Sequence, residues 1–232
     1  MHIPDQLVVF VMRFASWFVL VPFIVSVFWW FRKTEKRYEQ KMIAAYILLA
    51  VLGEIISRTI GAYRLNNLPV LHVYTLMQFL LVALLYRPFM MKPVTPSVWS
   101  IVTIVFLLGS IINSLFVQSI WSFNGFARAA ESFIIVLFAI WYFRKLLFSD
   151  AAAVPLQEVP MFWISTALLF YFSGCFFVFL LSGYVLDISS KVFSISWAFH
   201  DLILIIHYIF ITAALWPTRQ PTPSMSPFSQ AR

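Results

Sequence analysis

The sequence predicts an all-α membrane protein built as a bundle of seven transmembrane helices. Hydrophobic residues make up 62% of the 232 residues, charged residues only 11%, and the mean hydropathy is +0.90. Soluble globular domains are roughly 45–50% apolar and about 25% charged, so this chain cannot cover itself with a water-compatible surface. The composition excludes a soluble enzyme, a nucleic-acid-binding domain and a secreted disulfide scaffold.

Seven apolar runs are long enough to cross a bilayer core of about 30 Å, which takes about 20 residues of helix. They cover about 7–31, 42–60, 69–86, 97–121, 128–148, 160–182 and 192–216. These runs do not alternate apolar and polar residues as barrel strands do, so we predict helices. Pro22 lies within the first run and is expected to kink it. We therefore predict one transmembrane domain, 1–216, followed by a disordered cytoplasmic tail, 217–232.

The basic residues predict how the bundle is oriented in the membrane. Eleven of the sixteen lysines and arginines fall in alternate loops on one side, whereas Arg58, Arg64, Arg128 and Lys191 lie on the other. Arg13 lies within the first span. Because lysine and arginine collect in cytoplasmic loops, we expect the N-terminus outside and the C-terminus inside. The net charge of +7 follows from this topology and needs no nucleic-acid partner. Membrane lipids are the expected partners of a chain that lies in a bilayer.

Polar side chains within the spans concentrate in the half that we expect to face outward. Ionisable groups in a membrane usually face the interior of a bundle or a wet cavity, so this asymmetry predicts an outward-facing polar pocket closed below by an apolar plug. The candidate ligand-binding residues are Glu54, Arg58, His72, Tyr74, Gln78, Asn113, Arg128, Glu131, His200 and Asp201.

The same residues also fit a purely structural interpretation. Glu54 and Arg58 are spaced i,i+4, and Arg128 and Glu131 are spaced i,i+3, so each pair can form an ion pair along its own helix. A structural ion-pair network and a ligand pocket are therefore both open from the sequence.

A membrane-embedded zinc hydrolase is one alternative function, because it would gather three histidines around the metal. His72, His200 and His207 are the candidates, but His200 and His207 lie about 10.5 Å apart along one helix. Zinc–nitrogen bonds of about 2.0–2.1 Å cannot easily bridge that gap. We therefore predict no metal, no cofactor and no catalytic residue. Because histidine changes charge near neutral pH, the pocket could also respond to pH.

A second alternative rests on an internal similarity. The first helix ends WWFRK at 29–33 and the fifth ends WYFRK at 141–145. Spans 1–3 and 5–7 would then be parallel repeats joined by span 4. Such a 3+1+3 plan places a site between the repeats and is typical of small transporters.

Three segments together carry a family resemblance. They read NNLPVLHVYT at 66–75, PMFWI at 160–164 with YFSG at 171–174, and WAFHD at 197–201. The chain resembles an uncharacterised family of small bacterial seven-span proteins, some of which accompany sensory histidine kinases. The resemblance implies a sensory or accessory role in the bacterial cytoplasmic (inner) membrane, with a separate signalling partner such as a histidine kinase. A polar residue, often Glu, is expected near Gln78, so the glutamine departs from that pattern and weakens any proton-linked role.

Overall fold

The computed structural model describes residues 5–31, 38–90, 96–148, 155–183 and 190–216, and these residues form helices and connecting turns without a strand. The helices in chain order are α1 (Asp5–Phe18), α2 (Leu20–Phe31), α3 (Tyr38–Ala62), α4 (Leu68–Met90), α5 (Pro96–Ile112), α6 (Gly125–Leu147), α7 (Pro160–Leu180) and α8 (Ser190–Leu215). A π-helix, Asn113–Val117, continues α5, and a 3-10 helix, Leu156–Glu158, precedes α7.

Seven stretches of the described residues are long and apolar enough to cross a membrane, and they make the chain a multi-pass membrane protein. They are Phe14–Phe31, Tyr38–Ala62, Leu68–Met90, Val98–Val117, Gly125–Leu147, Pro160–Leu180 and Lys191–Leu215. The predicted count of seven helical spans is confirmed. The tail at 217–232 and the basic loop at 32–37 lie outside the described residues.

The first span is interrupted where its proline predicted a kink. Helix α1 ends at Phe18, and α2 begins at Leu20 after a turn at Val19. Pro22 has no N–H to donate to the carbonyl of Phe18, so the regular helical ladder cannot continue across this point.

A second proline, Pro88, lies inside α4 and leaves one carbonyl of that helix without its usual partner. The free carbonyl is that of Leu84, four residues earlier. The Tyr38 hydroxyl donates a hydrogen bond to it at 2.8 Å. The helix continues to Met90, four residues past the predicted end at 86. The carbonyl that the proline frees joins α4 to the start of α3 through the Tyr38 hydroxyl.

The helices pack so that the bundle has two chemically different halves. Helix α7 lies between α6 and α8, α1 and α2 pack on α8, and α3 packs on α4. We call the end where α1 begins and α3 ends the amino end. The half toward the opposite end is a core of apolar and aromatic side chains, in which the ring of Tyr142 lies 5.5 Å from that of Phe89 and 6.5 Å from that of Tyr86.

A close helix contact at the amino end fixes where α6 begins. The Asn124 side chain donates to the Thr75 hydroxyl at 2.9 Å, and the backbone carbonyl of Asn124 accepts from the Arg128 amide at 3.0 Å. A Cβ added to Gly125 would lie 2.6 Å from the Phe179 carbonyl oxygen. The helix therefore starts three residues before the predicted 128, at a glycine that lets α6 approach the end of α7.

We expect Gly125→Ala to destabilise the protein by about 1–3 kcal/mol, because the methyl group would push two backbones apart. Gly109→Ala is the matched control, since a Cβ there would meet nothing within 4 Å. Thermal unfolding in detergent measures both. Equal melting temperatures for the two variants would contradict the close approach of α6 to α7.

Candidate functional site

A cavity of about 220 Å³ lies in the half of the bundle toward the amino end. Side chains from α1, α3, α4, α6, α7 and α8 line it, together with Phe123 from the loop before α6. Its polar and aromatic wall consists of Ser16, Glu54, Ser57, Tyr74, Phe123, Arg128, Tyr171, Phe179, Trp197, His200 and Tyr208. The cavity therefore combines hydrogen-bonding groups with a largely aromatic surface.

Arg128 is the most enclosed charge at this cavity, with only 4% of its surface exposed. Its Nη1 donates to the Glu131 carboxylate at 2.9 Å and to the Gln78 side-chain oxygen at 2.5 Å, and its Nη2 donates to the Tyr171 hydroxyl at 3.2 Å. The Phe179 ring covers one face of the guanidinium at 4.4 Å. The predicted i,i+3 ion pair is confirmed, and it is the centre of a larger buried network.

Gln78 connects Arg128 to two tyrosines through hydrogen bonds. Its side-chain oxygen accepts from Arg128, which leaves its amide nitrogen as the donor. That nitrogen donates to the Tyr46 hydroxyl at 2.9 Å and to the Tyr74 hydroxyl at 3.2 Å. The direction of each hydrogen bond is fixed because arginine can only donate.

The Tyr46 branch ends within the protein. Its hydroxyl oxygen lies 3.2 Å from Nε2 of His207, and Nδ1 of the same ring lies 3.1 Å from the Ala167 carbonyl. A carbonyl can only accept, so Nδ1 carries the proton. In the neutral ring Nε2 is then the acceptor for the Tyr46 hydroxyl. His207 is thus a fully bonded structural histidine.

A second branch runs from Arg128 through Tyr171 to α8. The Tyr171 hydroxyl accepts from Arg128, so its own proton points to Nε2 of His200 at 3.0 Å. Nδ1 of His200 donates to the Asp201 carboxylate at 2.9 Å. His200 lines the cavity, whereas Asp201 lies behind it.

Two of the predicted site residues lie away from the cavity. His72 is hydrogen-bonded to the Ser114 hydroxyl at 2.7 Å and to the Ser122 carbonyl at 3.0 Å. Asn113 lies in the π-helix and donates to Gln118 at 3.1 Å. Successive helical residues are about 100° apart, so His72 and Tyr74 on α4 point about 200° apart. His72 therefore faces away from the cavity and joins α4 to the π-helix and to the loop before α6.

The remaining predicted pair, Glu54 and Arg58, is confirmed at 2.5 Å but is much less buried than the pair at Arg128. Its side chains are 38% and 41% exposed. The guanidinium of Arg58 lies 4.6 Å from the ring centroid of Trp17 on α1. Only Glu54 of this pair lines the cavity.

Three tyrosines of the site, Tyr46, Tyr171 and Tyr208, were not among the predicted residues. Charged, amide and imidazole side chains dominated the predicted set, which included Tyr74 but no other tyrosine. A buried tyrosine hydroxyl usually needs a hydrogen-bond partner. Tyrosines in the middle of a span were therefore the signal that could have identified them.

The described histidines do not converge on one point. His72, His200 and His207 are hydrogen-bonded to different partners, and no group of three or more His, Cys, Asp or Glu residues within the described ranges is placed to hold a metal. A second, apolar cavity of about 570 Å³ lies between α5 and α6 and includes Asn113 in its wall.

Comparison with protein-family models, with curated proteins and with solved structures found no match to this chain. The resemblance to small bacterial seven-span proteins therefore stays a prediction, and the case for function rests on the cavity and its network.

Proposed function

We propose that this protein is an integral membrane sensor or signalling accessory protein whose cavity binds a small molecule or a lipid from the outer side. The observation that carries this proposal is the cavity of about 220 Å³ beside the enclosed Arg128. Structural ion pairs alone do not need an open space, whereas a binding site does.

The opposite half of the bundle supports a sensor over a transporter. Its buried polar contacts include the hydrogen bond from the Tyr86 hydroxyl to the Ser165 hydroxyl at 3.0 Å, within an aromatic core that also contains Tyr142. A transporter of the 3+1+3 type needs access to its site from both sides. No buried acid or base comparable with Arg128 and Glu131 lies among the described residues of that core. The parallel-repeat plan remains the alternative hypothesis.

The proposed orientation puts the amino end outside. It rests on the asymmetric distribution of basic residues between the loops. Topology reporters fused at Asn66, Pro93, Asn124, Ala152 and Asp187 are expected to report outside, inside, outside, inside, outside. Two neighbouring fusions on the same side would contradict this arrangement.

The signal would leave through the ends of the helices on the inner side. Because the cavity is lined by most of the spans, a ligand that binds one arrangement of the helices more tightly shifts the population toward it. The proposed recipient is a separate partner, such as a histidine kinase, in or at the bacterial cytoplasmic membrane.

Side-specific cysteine labelling tests this function. In a Cys175→Ala background, Leu204→Cys places a thiol in the cavity wall, and Leu202→Cys places one on the exposed face of α8 about 3 Å away along the axis. We expect a charged, impermeant thiol reagent to label Leu204→Cys only from the outer side. It should not label Leu202→Cys, whose thiol faces lipid.

Two other labelling results for Leu204→Cys would lead to different conclusions. Labelling of Leu204→Cys from both sides would support a transporter, and no labelling from either side would contradict an accessible cavity. Reaction of the denatured protein verifies that each thiol is present.

A further inference from the structure

The hydrogen bonds that begin at Arg128 all run in one direction, away from the guanidinium. Two branches end on acceptors of the protein itself. One ends at His207 and the Ala167 carbonyl, and the other ends at the Asp201 carboxylate. The tyrosine, glutamine and histidine donors along these two branches therefore each have an acceptor, as buried polar groups require.

The third branch ends at the cavity without an acceptor. The Tyr74 hydroxyl accepts from Gln78 at 3.2 Å, and no acceptor for its own proton is found among the described residues. Tyr74 lines the cavity. Hydrogen bonds in a chain polarise one another, so the Arg128–Gln78–Tyr74 sequence strengthens this hydroxyl as a donor. The Tyr74 proton therefore needs a hydrogen-bond acceptor that enters the cavity from outside the protein.

Two further donors at the same wall point to the same chemistry. The Tyr208 hydroxyl has no hydrogen-bond partner among the described residues, although Tyr208 is only 6% exposed. The indole N–H of Trp197, which can only donate, also lacks a partner there. Three donors from two helices thus line the same cavity.

The fixed charges around the cavity favour an uncharged ligand. Arg128 is paired with Glu131, and Glu54 is paired with Arg58. An anion would meet the carboxylate of Glu54, which lines the cavity, and a cation would meet mainly N–H and O–H donors. A net charge brought into this enclosed site would also lose its hydration.

We propose that the cavity binds an uncharged, flat molecule that carries carbonyl oxygens, of the quinone class in its oxidised form. This inference rests on the proposed function, because it names the ligand class of the same site. The aromatic wall suits a flat ring. The volume of about 220 Å³ exceeds the roughly 150 Å³ of a cavity that binds benzene, so it offers the space of one substituted ring. Tyr74, Tyr208 and Trp197 donate to its carbonyl oxygens.

A matched pair of ligands tests the proposal. Tetramethyl-1,4-benzoquinone and its hydroquinone have nearly the same shape, but the first only accepts hydrogen bonds and the second also has two protons to donate. The full substitution of the ring prevents addition to thiols. Calorimetric titration of the protein in lipid nanodiscs, with empty nanodiscs as the blank, is expected to show at least about tenfold tighter binding of the quinone.

Variants then test which residues bind the carbonyl oxygens. Tyr208→Phe removes a hydroxyl that has no partner among the described residues, and it should weaken quinone binding about fivefold, the usual worth of one hydrogen bond. Tyr74→Phe should do the same. Tyr86→Phe is the control, because it removes a buried hydroxyl in the opposite half, and it should leave quinone affinity unchanged.

The outcomes separate this inference from the proposed function. Equal or tighter binding of the hydroquinone, tighter binding of benzoate or tetramethylammonium, or no binding of the quinone would each overturn the ligand class. If Leu204→Cys is nevertheless labelled from the outer side, the cavity remains a binding site for another molecule. If it is not labelled from that side, the proposed function fails as well.

Discussion

Replacing Glu131 with leucine is expected to lower the free energy of unfolding by about 3–5 kcal/mol, the cost of leaving a buried charge without its partner. Glu131 is fully buried, and its carboxylate is 2.9 Å from Arg128. The hydrogen bonds that Arg128 donates to Gln78 and Tyr171 do not neutralise its charge. Thermal unfolding in detergent should therefore show a large decrease in melting temperature.

The control for this effect is a double-mutant cycle with Arg128→Leu. When both charges are removed, the double variant should be more stable than the sum of the two single losses predicts. Strict additivity would show that the two side chains do not interact. The same cycle with Glu54→Ala and Arg58→Ala should give a much smaller coupling, about 0–1 kcal/mol, because that pair is about two-fifths exposed.

Replacing Gln78 with leucine is expected to cost about 1–3 kcal/mol and to disorder the cavity wall. The glutamine is 2% exposed and joins Arg128 to Tyr46 and Tyr74. Leucine fills the space but leaves buried hydrogen-bonding groups without partners. Chemical unfolding and quinone titration of the same variant measure both effects.

The matched control for this change is Gln157→Leu, the same substitution at an exposed position. We expect it to change stability by no more than about 0.5 kcal/mol. If Gln78→Leu is equally mild, the glutamine is not the junction of the network.

Interactions within one helix could be predicted from the sequence, because helical spacing alone brings the partners together. The Glu54–Arg58 and Arg128–Glu131 pairs are of this kind. Contacts between helices could not, since they depend on how each helix is rotated. Gln78 lies 50 residues from Arg128, and Tyr171 lies 43 residues from it.

The depth of the polar residues along the spans pointed to the half of the bundle that contains the cavity. It did not show which of these residues line the cavity together. His72 and Tyr74 are at similar depth, yet they point to opposite sides of α4. The angle of about 200° between them was already contained in the sequence. Depth and helical angle together would have removed His72 from the predicted wall.

The end of the fourth span could be predicted neither from depth nor from helical angle. The apolar run continues to 121, but the helix ends at Val117 as a π-helix. The amide of Gln118 donates to the Asn113 carbonyl at 2.7 Å, and the Gln118 side chain accepts from the Phe126 amide at 3.0 Å. A contact with the next helix therefore ends the span before its hydrophobic residues do.

The most direct test of a water-accessible cavity in the outer half is a comparison of two nitroxide labels on α3. Ala50→Cys places the label in the cavity wall, and Leu48→Cys places it on the exposed, lipid-facing side of the same helix, about 3 Å away along the axis. Power-saturation electron paramagnetic resonance in nanodiscs measures collisions with oxygen, which enters lipid, and with a polar nickel chelate, which does not. We predict frequent nickel collisions at Ala50 and few at Leu48. Nickel collisions as rare at Ala50 as at Leu48 would contradict the cavity on which this account depends.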